Sequence, residues 1–140
     1  MSVEVDAFAH GVPWGVLRIE GIGSGGSVPE LDIEYSMTAA NSGCVLIAVT
    51  HIDIEPLRVV VVREGVPDSF VQMFSGELNA PESVIEVADV VGDDFGYRYS
   101  LSTDKPKVTI FADVPEEATE IYVVVPGIQQ RLSGAGVVTA

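Results

Sequence analysis

Cys44-Val45-Leu46-Ile47-Ala48-Val49 and Leu57-Arg58-Val59-Val60-Val61-Val62 are the two stretches that decide the fold. Both are apolar at nearly every consecutive position, which suits a strand covered on both faces, and their β-branched valines disfavour helix. Outward from them the rhythm becomes period two. Leu31-Asp32-Ile33-Glu34-Tyr35-Ser36-Met37 alternates strictly, which predicts a half-buried strand with Leu31, Ile33, Tyr35 and Met37 inward and the polar residues in water. Val3, Val5 and Ala7 alternate with Glu4, Asp6 and Phe8, and Leu17, Ile19 and Gly21 alternate with Arg18 and Glu20. Further strands are predicted over residues 70–74, 84–91, 97–101, 107–111 and 120–125, about ten in all.

Turn chemistry separates these runs: Gly11 with Pro13, residues 23–27 with Pro29, and residues 41–43, 64–68, 79–81, 92–94 and 104–106. No sustained apolar stripe of helical period occurs, which argues against βαβ units. The expected architecture is all-β: an antiparallel two-sheet β-sandwich of jelly-roll or immunoglobulin-like type. Residues 1–130 would form one domain, and residues 131–140 a loose C-terminal tail or an added edge strand.

The chain has 140 residues, 47% of them hydrophobic and only 20% charged, a balance that builds a core and excludes a disordered chain. Seven Lys and Arg oppose 21 Asp and Glu, a formal charge of −14. That charge repels phosphate backbones and anionic lipid, so no nucleic acid and no membrane is expected as a partner. It permits a basic protein, a divalent cation, or solubility alone. The first residues lack the basic start and apolar stretch of a secretory signal, and no run approaches the ~20 apolar residues of a membrane helix, so the expected location is cytoplasmic.

Motifs for chemistry are sparse. The single cysteine, Cys44, lies within an apolar run and reads as core. His10 and His51 stand in no metal or triad pattern, no Gly-x-Ser-x-Gly elbow occurs, and the glycine-rich residues 21–26 lack the lysine of a phosphate loop. No enzyme activity and no cofactor is expected. Asp89, Asp93 and Asp94 are the one weak metal candidate: calcium favours carboxylates on loops, but Asp and Gly are also ordinary turn residues. Trp14, between Pro13 and Gly15, either anchors an interface or caps the core.

From Gly43 to Pro126 the order of features resembles the competence-J family of small bacterial β-sandwich proteins, whose named member inhibits a DNA-entry nuclease. The pieces that carry the resemblance are the apolar strand Val45 to Thr50, the valine strand closing on Arg63-Glu64-Gly65-Val66-Pro67, Glu77-Leu78 followed by Pro81, Tyr97-Arg98-Tyr99-Ser100-Leu101, Val108-Thr109-Ile110, and Ile121-Tyr122-Val123-Val124-Val125-Pro126. The resemblance implies an all-β fold and a protein-binding role, and it carries no site residue with it.

Charge and resemblance together favour a non-enzymatic acidic protein-binding domain, an inhibitor or immunity-type protein for a basic nuclease or toxin. Its expected contact surface is Glu30, Asp32, Glu34, Asp93, Asp94 and Trp14. Two other readings stay open at this point. One is a structural subunit of a homo-oligomer joined through apolar edge strands such as residues 123–125 or the tail. The other is a calcium- or carbohydrate-binding β-sandwich using the Asp93 loop with Trp14 or Tyr97.

Overall fold

The valine run lies where its two apolar faces require, inside a sheet. In the computed structural model, which describes residues 4–25, 27–91 and 94–133, the strands are β1 (Glu4–His10), β2 (Val16–Gly21), β3 (Thr38–Ala40), β4 (Cys44–Ala48), β5 (Leu57–Val62), β6 (Val71–Glu77), β7 (Val84–Asp89), β8 (Gly96–Leu101), β9 (Lys107–Ala112), β10 (Glu120–Val124) and β11 (Ile128–Ser133). They form an all-β sandwich of two sheets. One is five-stranded in the order β1-β5-β10-β9-β6, the other six-stranded in the order β11-β8-β7-β2-β4-β3. Neighbours are antiparallel except β5 and β10, which run parallel. Among the described residues no helix is long and apolar enough to cross a membrane.

The core follows from alternation. Leu17, Ile19, Val45, Ile47, Ile85, Val87 and Tyr99 face Val59, Val61, Val108, Ile110, Ile121 and Val123 across the sandwich. Each such side chain contributes about 1.5–3 kcal/mol relative to exposure. Cys44 is buried, and burial pushes its thiol up to about 11, so it remains a protonated small hydrophobe. On the reverse side of the six-stranded sheet Arg18 is nearly buried and is held by Glu20 and, at 2.8 Å, by Glu86, whose other oxygen takes Arg98 Nε–H at 2.9 Å.

Three predicted features differ. Residues 31–37 are not a strand: the Asp32 carbonyl accepts the N–H groups of Tyr35 and Ser36, and Asp32 Oδ1 accepts that of Glu34, an Asx turn that outcompetes the ladder. Ile33 and Tyr35 are consequently 61% and 88% exposed. In β1 the register shifts between Glu4 and Asp6, a bulge that reverses the inward set. Asp6, Phe8 and His10 face the second sheet, while Ala7 and Ala9 are exposed. Finally, β10 lies between β5 and β9, so residues 123–124 belong to an interior strand and offer no free edge. The edge beside β8 is taken by β11.

The bulge closes one side of the sandwich with aromatic rings. Phe8 stacks on Tyr97 at 3.9 Å and His10 on Phe95 at 4.7 Å. His10 Nε2 hydrogen-bonds the Tyr97 hydroxyl at 2.7 Å, the Tyr99 hydroxyl donates to Asp6 at 2.9 Å, and Arg131 from β11 reaches Asp6 at 3.4 Å. Burial disfavours the His10 imidazolium and holds its pKa below the usual 6.5, with the Asp94 charge pulling the other way. A base depressed in the folded state adds stability above its unfolded pKa and loses it as pH falls through the folded one. The stability gap between the wild type and His10→Gln, measured by urea denaturation, should therefore be widest near pH 7 and narrow progressively below pH 6.5. A gap that is constant from about pH 8 to pH 5 would contradict this assignment.

Candidate partner-binding surface

Strand register brings several loops to one end of the sandwich. The end of β1 pairs with the start of β5, the start of β2 with the end of β4, and the end of β7 with the start of β2. Because β10 starts level with β5, segment 113–119 arrives there as well. Segments 11–15, 49–56 and 113–119, with residues 90–91 and 94–95, thus share this end. The Asx turn of residues 32–36 joins them, since Ala48 donates to the Met37 carbonyl at 2.8 Å.

Val12-Pro13-Trp14-Gly15 forms a tight turn closed by Gly15 N–H to the Val12 carbonyl at 3.1 Å. Trp14 has φ 66° and ψ −2°, the third-position geometry of a type II turn, where glycine is the usual occupant. Such a backbone costs an L-residue about 1–2 kcal/mol. It is imposed by bonds on both sides: Val49 N–H to the Gly15 carbonyl at 2.8 Å and Ile52 N–H to the Val12 carbonyl at 3.1 Å. Gly15 itself has φ 62°, and a Cβ there would stand 3.0 Å from the Val49 carbonyl oxygen. The indole gains little by way of compensation, being 74% exposed. A large apolar ring held by strain in water points to a contact made outside the chain.

Around Trp14 the same end carries exposed Ile33, Tyr35, Ile52 and Ile54. It also carries exposed Asp32, Glu34, Asp53, Glu55, Asp94, Glu116 and Glu117. Among the described residues none of these acids is paired with Lys or Arg; Asp53 lies 3.6 Å from His51. The cations are elsewhere. Arg18, Arg98 and Arg131 bind acids on the sheets, and Lys105, Lys107 and Arg63 lie toward the other end. Arg58 alone stands at this end, and Glu120 holds it. Asp113 differs from its neighbours: burial would raise its carboxyl, but the Thr119 hydroxyl and the amides of Glu120, Thr119 and Val114 outweigh that and hold it below the usual range. It ties the loop down and is not a contact group.

Trp14, Asp32, Glu34 and Asp94 therefore come together at one end. Glu30 is exposed on the stretch that climbs toward Asp32 from the opposite end, and Asp93 lies outside the described residues. Asp89 belongs to a different environment. It is fully buried, and its Oδ1 accepts the N–H groups of Asp94 and Phe95, both at 3.1 Å, bracing the loop from inside. Among the described residues no three His, Cys, Asp or Glu side chains converge on a metal-sized space. Tyr97 is 5% exposed, sandwiched in the aromatic closure, and presents no platform for a sugar. Sequence reasoning missed Ile33 and Tyr35, placed inward by alternation, and also Ile52 and Ile54. The signal for the first two was the turn-forming Asp32; for Ile52 and Ile54 the sequence carried none.

The fold is similar to a solved structure, that of ComJ, inhibitor of the DNA-degrading activity of NucA, from Bacillus subtilis. The TM-score is 0.59 at 11% identity, with 89% of this chain and 97% of that one covered. At that identity the likeness is one of fold. No protein-family model matches the sequence, and no curated protein matches it.

Two substitutions test this description. Trp14→Gly removes the backbone strain at the cost of a looser unfolded chain, so the melting temperature should stay level or rise by a few degrees. A loss above about 1 kcal/mol would make Trp14 a core cap instead. Asp89→Ala leaves the buried Phe95 amide and the part-buried Asp94 amide without their acceptor and should cost about 2 kcal/mol. Stability unchanged by Asp89→Ala would show that the loop does not depend on this brace.

Proposed function

We propose that the chain is a non-enzymatic inhibitor-type protein that occupies the cationic groove of a basic nuclease or toxin with the loop end of its sandwich. The observation that carries this reading is the strained, exposed Trp14 set among carboxylates that no Lys or Arg neutralises. A nuclease must present positive charge to its substrate, and a protein surface of spaced carboxylates competes for the same groove. Aromatic and branched apolar groups at the centre would supply most of the affinity once water is excluded. Carboxylates at the rim would chiefly set the association rate and select a basic partner. The fold shared with ComJ, an inhibitor of a nuclease, supports the same class of role.

Immobilised protein should retain a basic protein from an extract of the source cells at low salt and release it as ionic strength shortens the screening length. The captured protein should degrade DNA and lose that activity when this chain is added in excess. Asp32→Asn with Glu34→Gln and Asp94→Asn should raise Kd about tenfold, since each rim charge contributes about 0.2–1 kcal/mol. Trp14→Gly should weaken binding at least as much without loss of fold. Retention that ignores salt, or a triple variant that binds as tightly as wild type, would sink the proposal.

A further inference from the structure

The outer face of the five-stranded sheet carries a second feature, independent of the loop end. After β5 the chain crosses this face as a strap, residues 63–70, to reach the start of β6 at the loop end. Phe70 closes the far end of the strap edge-on against Tyr122, ring centres 5.0 Å apart. Between strap and sheet lies a groove of about 630 Å³ whose floor is formed by outward residues of β6, β9 and β10. That volume suits a small organic molecule.

The groove is graded in polarity. Phe70 and Phe111 line one end, Val124 and the Ser75–Thr109 hydroxyl pair at 3.1 Å occupy the middle, and Lys107 and Arg63 line the other. These two cations are unusual for the chain. Of its seven Lys and Arg, Arg18, Arg58, Arg98 and Arg131 are in ion pairs, while among the described residues Arg63, Lys105 and Lys107 are not. Arg63 gives Nε–H and Nη2–H to the carbonyls of Ile128 and Gln129, at 3.0 and 2.9 Å, which fixes the guanidinium without neutralising it. Lys107 is exposed. Glu64 and Asp68 also line the groove, exposed on the strap, and Glu77 stands cross-strand from Lys107, but among the described residues none of these acids forms an ion pair with Lys107 or Arg63.

We infer that this groove binds a small amphipathic organic acid, its carboxylate at Lys107 and Arg63 and its apolar body on Phe111, Phe70 and Val124. An extended peptide is the poorer occupant. Strands β9 and β10 are interior, with their backbone groups paired on both sides, and the free side of the edge strand β6 faces away from β9, so a guest chain lying on the groove floor finds no edge to add to. A compact apolar body with a single anionic head matches one apolar end and one cationic end.

Titration with 4-phenylbutyrate, followed by amide shifts in NMR, tests the inference, with 4-phenylbutanol as the uncharged match. The acid should shift Thr109, Phe111 and Val124, and the alcohol should bind about fivefold more weakly at the same place, the effect of one semi-exposed charge pair. Lys107→Gln, a change at an exposed side chain, should bring the acid most of the way toward the alcohol's affinity, leaving only the share contributed by Arg63. Equal affinities for acid and alcohol, an acid affinity unmoved by Lys107→Gln, or shifts centred on the loop end would overturn it. Displacement of phenylbutyrate by a capped Phe-Glu dipeptide at lower concentration would replace the small acid with a peptide. The affinity outcomes leave the loop-end reading untouched, since it involves neither the strap nor Lys107.

Discussion

The constraint on which the structure depends is the burial of β5 on both of its faces. Val59 and Val61 point into the sandwich, and Val60 and Val62, though outward, are equally removed from water. Such a strand must be flanked on both sides and covered above and below. It has β1 antiparallel on one side, β10 parallel on the other and the opposite sheet beneath, and Val60 and Val62 are buried on its outer face as well. The loop end and the groove both follow. A parallel β10 must start where β5 starts, which brings segment 113–119 to the same end as segment 49–56. A chain that leaves β5 at the opposite end and must begin β6 at the loop end has to run back over the sheet.

Charge is sorted by the same geometry. Several acids on the sheet faces are ion-paired: Glu86 between Arg18 and Arg98, Asp6 beside Arg131, Glu120 beside Arg58. Cross-strand neighbours in a sheet stand close enough for this compensation to be worth having. Loop acids have no such neighbours. The surplus of carboxylates over cations therefore accumulates at the loop end, and a modest number of exposed groups there carries a field that the ion-paired sheet faces do not.

Much of the fold was legible in the residues. The double-faced apolar runs of β4 and β5, the alternation of β2, β8 and β9, and the turn residues between them specify a sheet protein with little dependence on distant contacts. Two errors share one cause. Alternation in Leu31 to Met37 and in the first residues of β1 describes which side chains could share a face, and it contains no information on whether a ladder partner exists or whether a bulge intervenes. Asp32 satisfies the nearby amides by itself, and no strand forms. A shift between Glu4 and Asp6 turns Phe8 and His10 inward, and the sandwich gains its aromatic closure.

What the sequence by itself determined is the class of fold and the sign of the surface, because period-two burial and net charge are local or additive properties. The tertiary structure alone decided which acids share an end, that Trp14 is held strained in water, that Asp89 is a brace, and that residues 123–124 lie inside a sheet. Each of these depends on strand order, which is set by pairings between residues far apart in the chain and leaves no trace in composition or spacing.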